Sequence, residues 1–147
     1  MTELFEIKVD LWKNIAFLLD AIIEIGIGVL LLYFKSSELT LKVLAIGFIL
    51  AGLIQFVRKI KTFHLTKTYL TIKRPLFPFV IANENYTLSE IKEVKFNKIT
   101  GRFGGSHLIV DSKNKSGSYR IQTTKENIDK FAKELTKLDI ITIRTGM

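Results

Sequence analysis

The sequence predicts a membrane α-helical hairpin joined to an α+β, mainly-β domain. Two observations predict the hairpin: the apolar runs 15–34 and 41–57 each approach the length needed to cross a bilayer, and only six residues separate them. A third observation predicts the domain, because the apolar residues beyond the second run recur in short stretches separated by turn residues. The predicted division is therefore an N-terminal segment with the hairpin, 1–60, followed by a domain, 61–147.

The composition excludes several classes of protein. The chain has 147 residues, a formal charge of +8, 48% hydrophobic residues and no cysteine. A mean hydropathy of +0.25 beside 24% charged residues requires that the apolar residues be concentrated in one region. The absence of cysteine excludes a disulfide framework, a thiolate metal site and a cysteine nucleophile. Two prolines and no biased tract exclude a disordered chain.

The first predicted span is the run 15–34, in which 16 of 20 residues are apolar. As a helix it would be about 30 Å long, the thickness of a bilayer hydrocarbon core. The second span, 41–57, carries Lys42 near its end, within snorkelling range, and Gln55. A buried hairpin in a soluble core is the alternative, but the remaining chain is too short to enclose two such helices. A cleaved signal peptide is disfavoured because a second apolar run follows at once.

The distribution of basic residues predicts the orientation of the hairpin. Residues 58–147 contain 18 Lys and Arg against 8 Asp and Glu, while residues 1–57 contain 4 against 6. The positive-inside rule then puts both termini in the cytoplasm and the short link outside, as in a multi-pass protein of the inner membrane. Trp12 and Tyr33 fall near opposite ends of the first span, where aromatic rings favour the interface.

Two carboxylates lie inside the first predicted span. Asp20 and Glu24 are four residues apart and therefore share one helix face. Charged groups within a bilayer are costly and commonly mark function. Two interpretations stay open: the pair is functional, or it is tolerated through snorkelling, protonation or pairing.

An antiparallel hairpin centred on the link brings residue i to the depth of residue 75−i. This relation predicts a contact of Gly28 with Gly47, from which a ridge of small residues continues to Ala51. It also places Asp20 level with Gln55, so we expect a hydrogen bond between them. Glu24 has no polar residue at its predicted depth.

The predicted domain begins with short strands and ends with a helix. A hairpin broken at Thr66-Lys67 is predicted first, and the strands are expected at 63–73, 79–82, 91–96, 107–111 and 119–123. The helix is indicated by an apolar stripe at helical spacing, formed by Ile128, Phe131, Ala132, Leu135 and Leu138. Thr123 and Glu126 have the spacing of a capping box at its start.

The order of these elements resembles the bacterial pleckstrin-homology-like (bPH) membrane proteins, in which two N-terminal transmembrane helices precede a PH-like domain. Two phrases carry the resemblance, FHLTKTYLTI and LSEIKEV, and their matching residues are Phe63, Leu65, Thr66, Leu70, Ile72, Leu88, Ile91 and Val94. The resemblance implies a PH-like curled antiparallel sheet or small barrel capped by a C-terminal helix.

The sequence predicts neither catalysis nor a cofactor. The acids of the domain are scattered, and no serine lies in a GxSxG elbow. The run GRFGG at 101–105 lacks the spacing and the lysine of a phosphate-binding loop. His64 and His107, without an acid or thiol beside them in the sequence, indicate no metal site. We therefore expect a protein that is not an enzyme.

A basic collar follows the second span, and such clusters attract anionic headgroups. Its residues are Arg58, Lys59, Lys61, Lys67, Lys73 and Arg74. No basic stripe interleaved with aromatics is present, so nucleic acid is not an expected partner. The main hypothesis is a membrane-anchored binding or scaffolding module that recruits a protein partner or anionic lipid. The alternative is a small subunit of an oligomeric transport or export assembly, a homo-oligomer included, in which Asp20 and Glu24 carry the chemistry.

Overall fold

The described part of the chain forms three α-helices and eight β-strands. The structure is a computed structural model, and it describes residues 3–8, 15–34, 38–76, 83–99, 105–121 and 123–146. The chain divides into two units, Leu11–Ile60 and Met1–Asp10 with Lys61–Met147. The division after residue 60 lies where the change in hydropathy predicts it. The prediction grouped the first ten residues with the hairpin, whereas the structure assigns them to the second unit.

The helical unit consists of α1, Ile15–Phe34, and α2, Leu39–Lys59. Both predicted apolar runs are helical, and α2 extends two residues beyond the predicted span at each end. Within the described residues, one helix, α2, has the length and apolar composition needed to cross a membrane, where the sequence predicted two. The helix α1 is 20 residues long and carries Asp20 and Glu24 in its first half.

The first sheet has the strand order β1-β2-β3-β4, with every neighbouring pair antiparallel. Its strands are β1 Glu3–Ile7, β2 Thr62–Thr66, β3 Tyr69–Lys73 and β4 Glu84–Thr87. The predicted β2–β3 hairpin is present, and its turn is held by Thr66, whose Oγ1 accepts a hydrogen bond from the Tyr69 amide at 3.0 Å. The sequence analysis did not predict β1.

The second sheet has the strand order β7-β6-β5-β8. Its strands are β5 Ile91–Ile99, β6 Gly105–Ser112, β7 Ser116–Ile121 and β8 Ile141–Thr145. Strand β8 follows the last helix and pairs with β5 in parallel, so the predicted C-terminal helix is not the last element. The predicted strand 79–82, most of the loop 101–105 and Trp12 lie outside the described residues.

The helix α3, Lys125–Lys137, packs its predicted stripe into the core of the second unit. Phe131 is fully buried and contacts Phe96 edge-on and Phe5 in a stacked arrangement, with ring centroids 6.1 and 5.8 Å apart. The N-cap is Thr124, one residue after the predicted Thr123, and its side chain accepts from the Asn127 amide at 3.3 Å. The described fold is thus a helical pair with two mostly antiparallel four-stranded sheets and one packed helix.

Candidate functional site

The polar side chains of α1 and α2 form a seam between the two helices. Gln55 donates from Nε2 to both carboxylate oxygens of Glu24, at 2.8 and 3.0 Å. One turn away, Lys59 is ion-paired with Asp20. The predicted Asp20–Gln55 hydrogen bond is therefore wrong, as is the expectation that Glu24 has no polar partner. Both partners lie four residues beyond the predicted ones.

The one-turn shift follows from the direction of helical side chains. Each Cα–Cβ bond tilts toward the N-terminus of its own helix. In an antiparallel pair the side chains therefore lean toward each other along the axis, so polar side chains meet when their residues are offset by about one turn. Glu24 consequently reaches Gln55 rather than Ala51, which is level with it in the predicted register.

The backbone register itself agrees with the predicted relation between residues i and 75−i. A Cβ added to Gly28 would lie 2.6 Å from Ile49 Cγ1 and 2.7 Å from the Ala45 carbonyl oxygen, residues that bracket position 47. Gly28 is thus a close-contact residue, as predicted. The facing residue is different, because a Cβ on Gly47 would meet no heavy atom within 4 Å. Ala51 is exposed.

Gly52 is the contact glycine of α2 that sequence reasoning missed. A Cβ there would lie 2.7 Å from Ile25 Cγ1 and 2.8 Å from the Ala21 carbonyl oxygen. The sequence contains a signal for this contact, because small residues recur seven apart on each helix. All four of these residues are buried in the structure. They are Ala21 and Gly28 on α1, and Ala45 and Gly52 on α2.

The basic collar separates into exposed and engaged residues. Arg58, Lys67 and Lys73 are exposed. Lys59 is engaged by Asp20, and the Arg74 guanidinium lies 3.2 Å from Glu84 Oε1. Among the described contacts, Arg58, Lys67 and Lys73 form no ion pair with an acidic side chain. We therefore expect these three residues to be available to an anionic surface.

Lys61 is the half-buried member of the collar. Its Nζ lies 5.2 Å from the centroid of the Tyr119 ring, within cation–π range. Burial lowers the pKa of Lys61 below its usual range, and the positive charge of Arg74 lowers it further. The carboxylate of Glu84 partly opposes these two effects, and a further anion beside Lys61 would oppose them more.

Two buried tyrosines of the second unit, Tyr86 and Tyr119, lie beside Lys61 and are hydrogen-bonded to each other. Tyr119 donates to Glu84, and Tyr86 bonds to the Tyr119 hydroxyl. Burial raises the pKa of Tyr119 above its ordinary value, and the bonds to Glu84 and Tyr86 raise it further. Gly117 leaves room for these rings, since a Cβ there would overlap both hydroxyls. The pairing joins β4 to β7, and no local sequence signal could reveal it.

Beside this pair lies a basic cluster, which we define as Lys61, His107 and Arg120. His107 on β6 faces Arg120 on β7 as a cross-strand pair. Burial lowers the pKa of His107, and the positive charges of Arg120 and Lys61 lower it further. Lys61 and Arg120 thus act on a half-buried imidazole whose neutral form they favour, and an anion beside the cluster would oppose this effect.

The contact between His107 and Ser118 is not built for nucleophilic catalysis. His107 Nδ1 lies 3.1 Å from Ser118 Oγ. A serine–histidine pair acts through an imidazolium that a carboxylate stabilises. Here the neighbouring charges are cationic and disfavour that imidazolium.

Comparison with known proteins gives no match, either to a protein-family model or to a curated protein.

Proposed function

We propose that the chain is a membrane-anchored binding module. The helices α1 and α2 would hold a PH-like α+β unit at the cytoplasmic face of the inner membrane, as the resemblance to bPH proteins implies. There the unit would bind an anionic lipid headgroup through the basic cluster. Recruitment of a protein partner to the same surface is the other form of this function.

The observation that carries the proposal is the exposure of large apolar side chains on both helices. Only 11% of the most apolar 18-residue stretch of α2 is buried, so α2 is unlike a core helix of a soluble protein. Exposed apolar patches of this extent mark an apolar environment or partner. The exposed residues are Leu19, Ile22, Ile23, Ile27, Val29, Leu30, Tyr33 and Phe34 on α1, and Leu39, Val43, Leu44, Ile46, Leu50, Leu53 and Ile54 on α2.

The pairing of β1 with β2 supports a hairpin that crosses the membrane twice. Strand β1 precedes α1 in the chain, β2 follows α2, and the two strands are hydrogen-bonded neighbours. Both ends of the helical pair therefore lead to strands of one sheet, which cannot be divided by a bilayer. Two spans with both ends on one side satisfy this condition, and a single span does not.

The basic cluster supports an anionic ligand. A phosphate group near the basic cluster would accept hydrogen bonds from Lys61 and Arg120 and would favour the protonated form of His107. Lys61 follows the end of α2 by two residues, so this cluster begins where the chain leaves the proposed span. Clusters close to a span are the ones that attract anionic headgroups.

The alternative function, a subunit of an oligomeric transport assembly, is favoured by one observation. Asp20 is paired with a cationic side chain, but the partner that the structure gives Glu24 is the neutral amide of Gln55. Among the described contacts Glu24 therefore has no cationic partner, and a transported ion or a second subunit could supply one. Against this function, both carboxylates have partners within their own hairpin, which is the arrangement expected of a structural seam.

Topology is tested with single cysteines, which the chain lacks otherwise. Thr40→Cys and Lys113→Cys both replace exposed residues, one at the start of α2 and one after β6. In intact cells a membrane-impermeant maleimide should label position 40 and spare position 113 until the inner membrane is opened. Labelling of position 113 in intact cells would contradict the proposal.

The ligand is tested with the full-length chain in neutral detergent. Dihexanoyl phosphatidylglycerol should raise its melting temperature in a salt-sensitive manner, while dihexanoyl phosphatidylcholine should not. The double variant Lys61→Gln/Arg120→Gln should lose the shift. The matched control Lys113→Gln/Lys133→Gln removes the same charge from exposed positions and should keep it. Equal shifts in the two double variants would overturn the lipid-binding form and leave protein recruitment.

A further inference from the structure

His64 on β2 lies between two carboxylates of β1. Its Nδ1 is 2.6 Å from Glu3 Oε1, and its Nε2 is 3.3 Å from Glu6 Oε1. The Thr62 hydroxyl lies 3.2 Å from the same Nε2. The imidazole is mostly buried, with 16% of its side chain exposed, whereas the Glu3 side chain at the sheet edge is about half exposed.

A β-bulge brings the two glutamates to the same imidazole. Residues three apart on a regular strand point to opposite faces of the sheet. The register between β1 and β2 shifts between Glu3 and Phe5, beyond which Glu6 is the residue paired with His64. Bulges re-aim side chains in this way. Because of the bulge, both Glu3 and Glu6 reach His64.

The two carboxylates beside His64 favour a cation at this group. A neutral imidazole has one N–H, so it can donate to only one of the two carboxylates that face its nitrogens. The other contact then sets a nitrogen lone pair against a carboxylate oxygen. A metal ion bound at one ring nitrogen removes this conflict, because it takes the lone pair and leaves the N–H of the other nitrogen to donate to a carboxylate.

We propose that Glu3, Glu6 and His64 bind a divalent first-row transition ion such as Zn²⁺. One donor atom from each of the three residues lies within 4.8 Å of the other two. Zn²⁺ takes imidazole nitrogen and carboxylate oxygen at about 2.0–2.2 Å and binds one ring nitrogen. The ion would lie between His64 Nε2 and Glu6, and the exposed Glu3 side chain would rotate away from Nδ1 to reach it. Imidazole as a ligand favours Zn²⁺ over Mg²⁺ and Ca²⁺, which prefer all-oxygen sites.

The ion would link β1 to β2. Strand β1 is five residues long and lies at the edge of its sheet, where β2 is its one neighbour among the described strands. A coordination bond from each strand to one ion would hold β1 in place more firmly than its backbone pairing alone. Binding of the ion would thus stabilise the first sheet, and this effect does not depend on the proposed lipid ligand.

Zn²⁺ binding is tested by calorimetry on the full-length chain in detergent, prepared without a histidine tag. The wild type should bind one equivalent, and His64→Ala should weaken binding about tenfold or more. His107→Ala is the matched control, since it removes the only other histidine, and its affinity should equal that of the wild type. Mg²⁺ at the same concentrations should give no saturable heat.

A second measurement distinguishes a loss of Zn²⁺ binding from a loss of folding. Glu6→Gln keeps the size of the side chain and should also weaken Zn²⁺ binding. Zn²⁺ should slow amide hydrogen exchange in residues 3–7 of the wild type and not in Glu6→Gln. The proposal is overturned if the wild type shows no saturable binding, or if the His64 and His107 variants bind equally.

Discussion

The two units of this chain bury opposite kinds of residue. Where α1 meets α2, the buried residues include Ala21, Gly28, Ala45 and Gly52, and most of the large apolar side chains are exposed. The second unit buries its large side chains, with Phe63, Phe96 and Phe131 fully enclosed. Burial of large apolar groups stabilises a fold in water, whereas close backbone approach at small residues stabilises helices in lipid. The difference is the one expected if the helical unit faces lipid, as proposed, while the second unit faces water.

The largest expected change in the free energy of unfolding comes from one of two matched phenylalanine substitutions. Phe131→Ala should lower the free energy of unfolding of the second unit by about 3–5 kcal/mol, because the ring is fully enclosed between α3 and the sheets. Phe34→Ala removes a ring that is 72% exposed and should change the free energy of unfolding by less than about 0.5 kcal/mol. Both are measured by urea unfolding of the full-length chain in detergent. Equal losses would show that the two units do not differ in this way.

The reverse test uses glycines of the helical unit. Gly52→Leu should destabilise the helical pair by about 1–3 kcal/mol, because its side chain would overlap Ile25 and the Ala21 carbonyl. Gly47→Leu adds the same side chain where a Cβ meets nothing within 4 Å, and should be nearly neutral. Unfolding in sodium dodecyl sulfate, followed by helix content, gives both values. Tolerance of leucine at 52 would contradict the close approach.

A third test concerns the polar seam. Gln55→Leu leaves the partly buried Glu24 carboxylate without its donor and should cost about 1–3 kcal/mol of helical-pair stability. The double variant Glu24→Leu/Gln55→Leu removes both partners and should recover most of the loss. The same unfolding assay separates the two. If the double variant is as unstable as the single one, the hydrogen bond is not the cause.

The smallest expected effect is a pH dependence in the second unit. Because the pKa of His107 is lowered in the folded state by burial and by Arg120 and Lys61, the unfolded chain binds a proton more readily. The contribution of His107 to stability should therefore be complete above about pH 6.5, the ordinary pKa of histidine, and should be lost progressively as pH drops below it. Melting temperatures between pH 7.5 and 5.5 should fall more for the wild type than for His107→Gln. Parallel curves would show that His107 carries no such shift.

Sequence reasoning succeeded where the signal is local. The helices α1, α2 and α3 and the β2–β3 hairpin follow from composition and spacing over a few turns of chain. Strand β1 was missed because ELFEI finds its partner only across the helical pair, and β8 because ITIRT is five residues long and follows a helix.

The candidate sites were harder to predict for a related reason. Lys61, His107 and Arg120 are separated by tens of residues and meet only through the pairing of strands. The Glu24–Gln55 bond required the tilt of side chains as well as the depth of the backbone. The group at His64 depends on a bulge, which alternation along β1 does not reveal.

The pairing of β1 with β2 has a consequence for biogenesis. Glu6 and His64 are neighbours in the sheet, but the ribosome makes them 58 residues apart, which is roughly 3 to 12 s of synthesis. During that interval β1 lacks its partner β2, because the helical pair between them is synthesised first. Completion of the first sheet is therefore a late event. If the hairpin inserts into the membrane as proposed, we expect a chain whose hairpin inserts wrongly to expose an unpaired N-terminal strand to proteolysis.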